Sequence, residues 1–166
     1  MTAADQARTR VATVADADLI ARLLRDFNAE FDEPVPEQEW LARRVADLLR
    51  QGDTVVLLLD GARSDVPADG VAVLRFRPAL WEEGDECHLA ELYVRPPMRG
   101  LGLGRQLLAA AMRYARDRGA RYMDLATTNQ DVAAMALYES MGFNRHAGRG
   151  PDTVAYYYET DLSRPR

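Results

Sequence analysis

Apolar residues recur along this chain in two rhythms, and the changes between them mark out its elements. Thr9 to Thr13 reads as a short first strand with Val11 pointing inward. Leu19, Ile20, Leu23, Leu24 and Phe27 then follow the three-to-four spacing of a helix face, with Asp16 where an N-cap belongs. Acids and two prolines between Phe31 and Pro36 interrupt that face, and a second helix is predicted through Trp40, Leu41, Val45, Leu48 and Leu49, closing near Gly52. Val55 to Leu59 is a continuous apolar run of strand length. Asp60 to Asp69, rich in Gly, Asp, Ser and Pro, reads as a hairpin loop returning into a strand from Val71 to Phe76. Cys87 to Val94 is the next strand. A long helix is expected from Leu103 through Leu107, Leu108, Ala111, Met112 and Ala115, with Gly119 at its end. Tyr122 to Ala126 returns as a strand, and Asp131 opens a fourth helix through Ala136, Leu137 and Met141, stopped by Gly142. Phe143 to Ala147 and Val154 to Asp161 read as a final strand pair.

The strand ending at Val94, the long helix and the strand after it form a strand–helix–strand unit. A crossover of that length requires parallel strands, with a right-handed connection. In an open sheet of this kind a ligand sits beyond the carboxyl ends of the strands. The chain is therefore expected to be an α/β protein, with a mixed, mostly antiparallel sheet holding one parallel pair and about four flanking helices.

Composition narrows the options. A length of 166 residues with 48% hydrophobic content suits one compact domain over 1–166, with polar residues 1–7 loose. A net charge of −5 argues against a nucleic-acid binder, and no apolar stretch is long enough to span a membrane. Cys87 is the only cysteine, so neither a disulfide framework nor a Cys-rich metal site is expected. No metal is predicted, and the chain reads as cytoplasmic.

The chemistry concentrates between Glu91 and Arg105. Pro96 and Pro97 end the strand, because neither can donate a ladder hydrogen bond. Gly100, Gly102 and Gly104, interleaved with Leu101 and Leu103, then lead into the long helix. A glycine loop at a helix start presents unsatisfied N–H groups and the positive end of the helix dipole, which favours phosphate. Arg99 and Arg105 flank it with guanidinium charge. The chain contains no lysine, which argues against a P-loop nucleotide site, and its glycines miss the dinucleotide spacing.

Arg99-x-x-Gly102-x-Gly104 resembles the Gln/Arg-x-x-Gly-x-Gly/Ala pyrophosphate loop of the GCN5-related N-acetyltransferases. Leu92-Tyr93-Val94-Arg95-Pro96 resembles that family's strand exit. A second signature follows in order: Asn129, then Ala133, Ala136 and Leu137-Tyr138-Glu139-Ser140-Met141-Gly142-Phe143, similar to the family's Asn…Ala-x-x-x-Tyr-x-x-x-Gly-Phe ending. The resemblance covers essentially the whole chain. It implies an enzyme that transfers an acetyl group from acetyl-CoA to a primary amine by direct attack in a ternary complex.

It further implies that Arg99, Gly100, Leu101, Gly102, Leu103, Gly104 and Arg105 hold the pyrophosphate, and that backbone groups of Leu92, Tyr93 and Val94 pair with the pantetheine arm at a splayed strand pair. Ala133 and Asn129 belong to the same cofactor-binding half; Asn129 could equally make an Asx turn or cap a helix. Tyr138 is implied as the general acid for the departing thiolate, since a phenol of pKa about 10 is protonated at neutral pH. A packed aromatic would suit the same spacing. Glu91 is the candidate base, placed by strict alternation on a face with Cys87, Leu89 and Tyr93, where burial would raise its pKa. His88 and His146 are less favoured alternatives. Cys87 has no evident partner as a nucleophile.

The acceptor would be a small-molecule or peptide amine. Asp32, Glu33, Glu82, Glu83, Asp85 and Glu86 suggest an acidic rim suited to a cation, or simply solvated loop charge. The family's habit points to a homodimer. The rival readings are a CoA-binding module without catalysis and an O-acyl or longer-chain transferase.

Overall fold

The computed structural model describes residues 7–61, 67–146, 148 and 150–163. The chain falls into two compact units, Met1–Leu125 and Ala126–Arg166. The first carries β1 (Arg8–Val11), α1 (Ala17–Ala29), α2 (Gln38–Gln51), β2 (Thr54–Asp60), β3 (Gly70–Pro78), β4 (Asp85–Val94), α3 (Leu103–Asp117) and β5 (Ala120–Asp124). Its five strands lie in the order β1-β2-β3-β4-β5, antiparallel except for the parallel pair β4–β5. The expected parallel crossover is therefore present, and the mixed α/β sheet is as the periodicity predicts.

One face of the sheet packs against α1 and α2 through Ile20, Leu23, Val45 and Ala46 on Val56, Leu58, Val71, Val73 and Tyr93. The other packs against α3, whose Leu107, Leu108 and Ala111 are fully buried and whose Tyr114 meets Phe76 edge-on. Each such leucine contributes about 1.5–3 kcal/mol by leaving water. With both faces covered, β2 reads as an unbroken apolar run, and only its last residue is partly exposed. At the edge, β1 departs from expectation. Val11 is 45% exposed rather than inward, because an edge strand has a neighbour on one side only.

Gly52 ends α2 in the left-handed conformation (φ 85°), and Gly119 follows α3 with φ 100°. The expected hairpin loop lies partly outside the described residues, at 62–66. Residues 1–6 of the segment expected to be loose also lie outside them. Ala7 is buried, and its carbonyl accepts from Gln106 Nε2 at 2.8 Å. Among the described residues no helix is long and apolar enough to cross a membrane.

The second unit contains α4 (Val132–Ser140), capped by Asp131, whose carboxylate accepts from the Ala134 amide at 3.0 Å. Gly142 (φ 94°) stops it: its amide donates to Glu139 O and the Phe143 amide to Tyr138 O, a Schellman arrangement. The expected final strand pair is not formed among the described residues. Ala155 donates one backbone hydrogen bond to Arg145 O, but no ladder extends from it, and Tyr156, Tyr157 and Tyr158 are exposed. Two strands alone bury too little surface to hold themselves together.

Candidate active site

β4 carries the first group of candidate residues, and a bulge in it changes which way they face. His88 pairs with Arg75 and Leu89 with Leu74, whereas Glu91 pairs with Val73, so Ala90 is an extra residue in the ladder. Cys87 and Leu89 therefore face α3 with Leu74 and Phe76. Glu91 and Tyr93 face α1 and α2 with Val71 and Val73, on the same side as His88 and Arg75. The expectation from strict alternation, with Glu91 beside Cys87 and Leu89, is corrected by that single inserted residue.

Glu91 now lines a cavity of about 150 Å³ under the two helices, with Ile20, Leu24, Leu41, Val45 and Leu49 among its walls. Burial among these apolar groups raises its carboxyl above the usual range, and a positive charge on His88 would act the other way. Cys87, on the opposite face, is buried, and burial pushes its thiol up to about 12. Such a thiol supplies almost no thiolate at neutral pH.

β4 and β5 stay paired only from Asp85↔Ala120 to His88↔Asp124. Beyond that point the β4 backbone, including Leu92, Tyr93 and Val94, has a strand only on its β3 side. The pair ends in a side-chain contact: His88 Nδ1 lies 2.6 Å from Asp124 Oδ1. The carboxylate can only accept, so Nδ1 carries the proton.

The glycine loop follows. Pro96–Met98 make one tight turn after β4, and the Arg99 amide closes back on Pro96 O at 3.2 Å. Gly100 (φ 77°) and Gly102 (φ 81°) are left-handed, and a Cβ at either would meet nothing within 4 Å. Both face open space at the start of α3. The first helical bond is Gln106 N to Gly102 O at 3.1 Å, so the amides of Leu103, Gly104 and Arg105 precede the helical ladder. Open space above two left-handed glycines and a helix start fits a pyrophosphate held by backbone amides.

Arg99 is held by groups on β4 and at the end of α1. Its Nε donates to Val94 O at 2.8 Å, and its Nη2 reaches both carboxylate oxygens of Glu30, at 2.8 and 3.0 Å. The guanidinium also lies 5.6 Å from the ring centre of Tyr93, which stacks on Phe27 at 5.2 Å. Burial first, and the Glu30 carboxylate next, push the Tyr93 phenol up to about 12. Glu30 is a partner that no local pattern marks, since it lies at the far end of α1. Arg105 is exposed in the first turn of α3.

In the second unit, Asn129 is exposed in a turn closed by Asp131 N on Thr128 O, and the cap of α4 is Asp131 rather than Asn129. Ala133 lies in the first turn of α4. Tyr138 packs its ring edge-on against Phe143, centroids 6.0 Å apart. The acidic rim is weaker than its sequence suggests. Glu86 is bonded by Arg77 at 2.7 Å, and Arg118 approaches Asp85 at 3.8 Å.

An α/β sheet with a parallel pair that separates at its carboxyl end, followed by a glycine loop into a helix, defines a protein class that holds a phosphate-bearing ligand beside a splayed strand. Comparison with known proteins narrows the class. The model of the acetyltransferase (GNAT) family matches residues 19–143, and the chain belongs to this family of acetyltransferase enzymes. Mycothiol acetyltransferase of Rhodococcus erythropolis is 32% identical over 130 residues, 75% of this chain and 43% of that protein. The chain thus spans under half the length of that relative. Aminoglycoside N(6')-acetyltransferase type 1 of Stenotrophomonas maltophilia is 33% identical over 137 residues, 81% of this chain and 84% of that protein. The crystal structure of an assumed acetyltransferase from Arthrobacter sp. FB24 superposes with a TM-score of 0.81 at 41% identity, covering 92% of this chain and 95% of that one.

Proposed function

We propose that the protein transfers an acetyl group from acetyl-CoA to a primary amine of a small molecule or peptide, by direct attack within a ternary complex. The observation that carries this reading is the half-buried Glu91. It is turned by the Ala90 bulge into an apolar cavity, on the strand whose parallel pairing stops three residues earlier. An amine entering that cavity arrives as an ammonium ion and must lose a proton before it can attack. A carboxylate with a raised pKa is suited to take it.

In this reading the amides of Gly100 to Arg105 hold the pyrophosphate, with Arg99 supplying charge nearby, and the β4 backbone at Leu92, Tyr93 and Val94 aligns the pantetheine arm. Asn129 and Ala133 belong to the same binding half. Tyr138 is the acid for the leaving thiolate. The aminoglycoside and mycothiol enzymes among its relatives favour a small-molecule amine, and we place the protein in the cytoplasm as a homodimer. The test is thiol release from acetyl-CoA with spermidine, kanamycin and a peptide bearing a free N-terminus, alongside an alcohol and a longer thioester. Turnover with an amine is expected. Coenzyme A binding by calorimetry without turnover of any acceptor would leave only a binding module, and light scattering decides the dimer.

A further inference from the structure

The cavity beneath α1 and α2 has one carboxylate in a wall that is otherwise mostly leucine and valine. Leu24 of α1 and Leu41 and Leu49 of α2 line it and are only partly buried, so their apolar surface meets solvent at this place, while Val45 behind them is buried. Two charged residues stand in the wall, Glu91 of β4 and the exposed Arg75 of β3. No hydrogen bond or ion pair among the described residues occupies the Glu91 carboxylate. A half-buried carboxylate without a partner favours a cation, and the leucines beside it favour an apolar body.

Volume and charge both limit what fits. At about 150 Å³ the space is that of a cavity which, lined by Leu, Ile and Phe, stays dry and binds benzene. A second ammonium on the acceptor would lie among leucines, and the other charged residue of the wall, Arg75, is itself a cation. The acids of the rim do not change this balance. Arg77 holds Glu86 at 2.7 Å and Arg118 approaches Asp85 at 3.8 Å, and none of Asp32, Glu33, Glu82 and Glu83 lines the cavity.

We infer that the acceptor is a primary amine with a single positive charge and a compact alkyl or aryl body about the size of a benzene ring, its nitrogen at Glu91 and its body among Leu24, Leu41 and Leu49. The inference rests on the acetyl-transfer reading above and narrows its substrate class, setting polyamines and aminoglycosides aside. The amide C–N bond forms as the thioester C–S bond breaks. Of the protons on the ammonium nitrogen, one stays on the amide, one ends on the thiol and one reaches solvent, and no electron is gained or lost.

The experiment measures kcat/KM by thiol release at saturating acetyl-CoA for straight-chain amines from ethylamine upward, for phenethylamine, and for cadaverine, the diamine of pentylamine's length. Spermidine, kanamycin and the peptide are run beside them. The straight-chain amines are nearly equal in basicity, so the series reads the apolar contact. kcat/KM is expected to climb about fourfold per methylene as far as pentylamine and to stop climbing once the space is full. Phenethylamine should match pentylamine, and cadaverine should fall about tenfold or more below it, because of its second charge. Leu41→Ala should move the optimum to a longer chain and Leu41→Phe to a shorter one, with coenzyme A affinity by calorimetry unchanged. A Leu41 that only packs α2 would lower the melting temperature in the variants and leave the optimum in place, which would overturn the inference. A kcat/KM constant within twofold along the series, or cadaverine, spermidine or kanamycin turned over as well as pentylamine, overturns the substrate class and leaves acetyl transfer standing. Coenzyme A binding with no turnover of any of these acceptors removes the acetyl-transfer reading and the class together.

Discussion

Nη2 of Arg99 spans both carboxylate oxygens of Glu30, a residue 69 positions away in the chain, while Nε of the same guanidinium holds Val94 O. The end of α1 is thereby tied to the exit of β4 and the mouth of the glycine loop. The ion pair is close to neutral as a unit, so an incoming pyrophosphate meets less positive charge from Arg99 than the motif implies. The pair is half exposed and contributes about 0.2–1 kcal/mol to stability at most. Glu30→Gln should therefore change the melting temperature little and tighten coenzyme A binding about fivefold, by removing a negative charge near the diphosphate. Arg99→Gln should weaken it. Calorimetry at two salt concentrations checks both, and identical affinities across the series would show that Arg99 only braces the loop.

Gly102→Ala separates backbone strain from crowding. A Cβ there meets nothing within 4 Å, so the cost comes from the left-handed φ of 81°, about 1–2 kcal/mol. The methyl would also stand over the open space in front of the α3 amides. Denaturant melts should show that modest loss, while coenzyme A affinity falls by far more than the stability change accounts for.

Gly70→Ala tests close approach instead. A Cβ at Gly70 would come 2.8 Å from Tyr93 O, on a strand with no room to yield. The β3–β4 ladder must shift next to Leu92 and Tyr93. Destabilisation of about 1–3 kcal/mol by overpacking is expected in urea melts, together with weaker coenzyme A binding.

Tyr138→Phe keeps the ring that packs on Phe143 and leaves the turn at Gly142 intact. Coenzyme A affinity should therefore match the wild type, while kcat for amine acetylation drops about 10²- to 10⁴-fold with loss of the proposed acid. Unchanged turnover would reduce Tyr138 to a packing residue.

Two carboxyls give pH dependences of opposite sign. Glu91 is raised by burial, so its folded pKa exceeds its unfolded one and its ionised form opposes folding. Glu91→Gln should raise the melting temperature at pH 8, and the gain should disappear once pH falls below the unfolded value near 4.3. Asp16 is the reverse. The hydrogen bond from Arg10 leads a set that lowers it to about 2. Its contribution is complete above the unfolded pKa of 3.8 and is lost as pH falls toward 2. Asp16→Asn should therefore lower the melting temperature at pH 6 and match the wild type near pH 2.

The chain itself determines much of this protein. Helix faces such as Ile20–Leu23–Phe27 and Leu107–Leu108–Ala111, the unbroken run of β2 and the stops at Gly52, Gly119 and Gly142 are local in origin. They follow from period, propensity and backbone freedom over a few residues. The parallel pairing of β4 and β5 could be deduced from the helix between them, and the glycine loop from its own spacing.

Tertiary structure alone decided the rest. The Ala90 bulge is one residue of slack between paired strands, and nothing in Leu89-Ala90-Glu91 announces it, because register belongs to two strands at once. That slip turned Glu91 from the face of Cys87 to the face of His88. Glu30 met Arg99, and Asp124 met His88, for the same reason. Each partner lies dozens of residues away, and a side-chain pair across that distance is set by how the sheet and helices assemble.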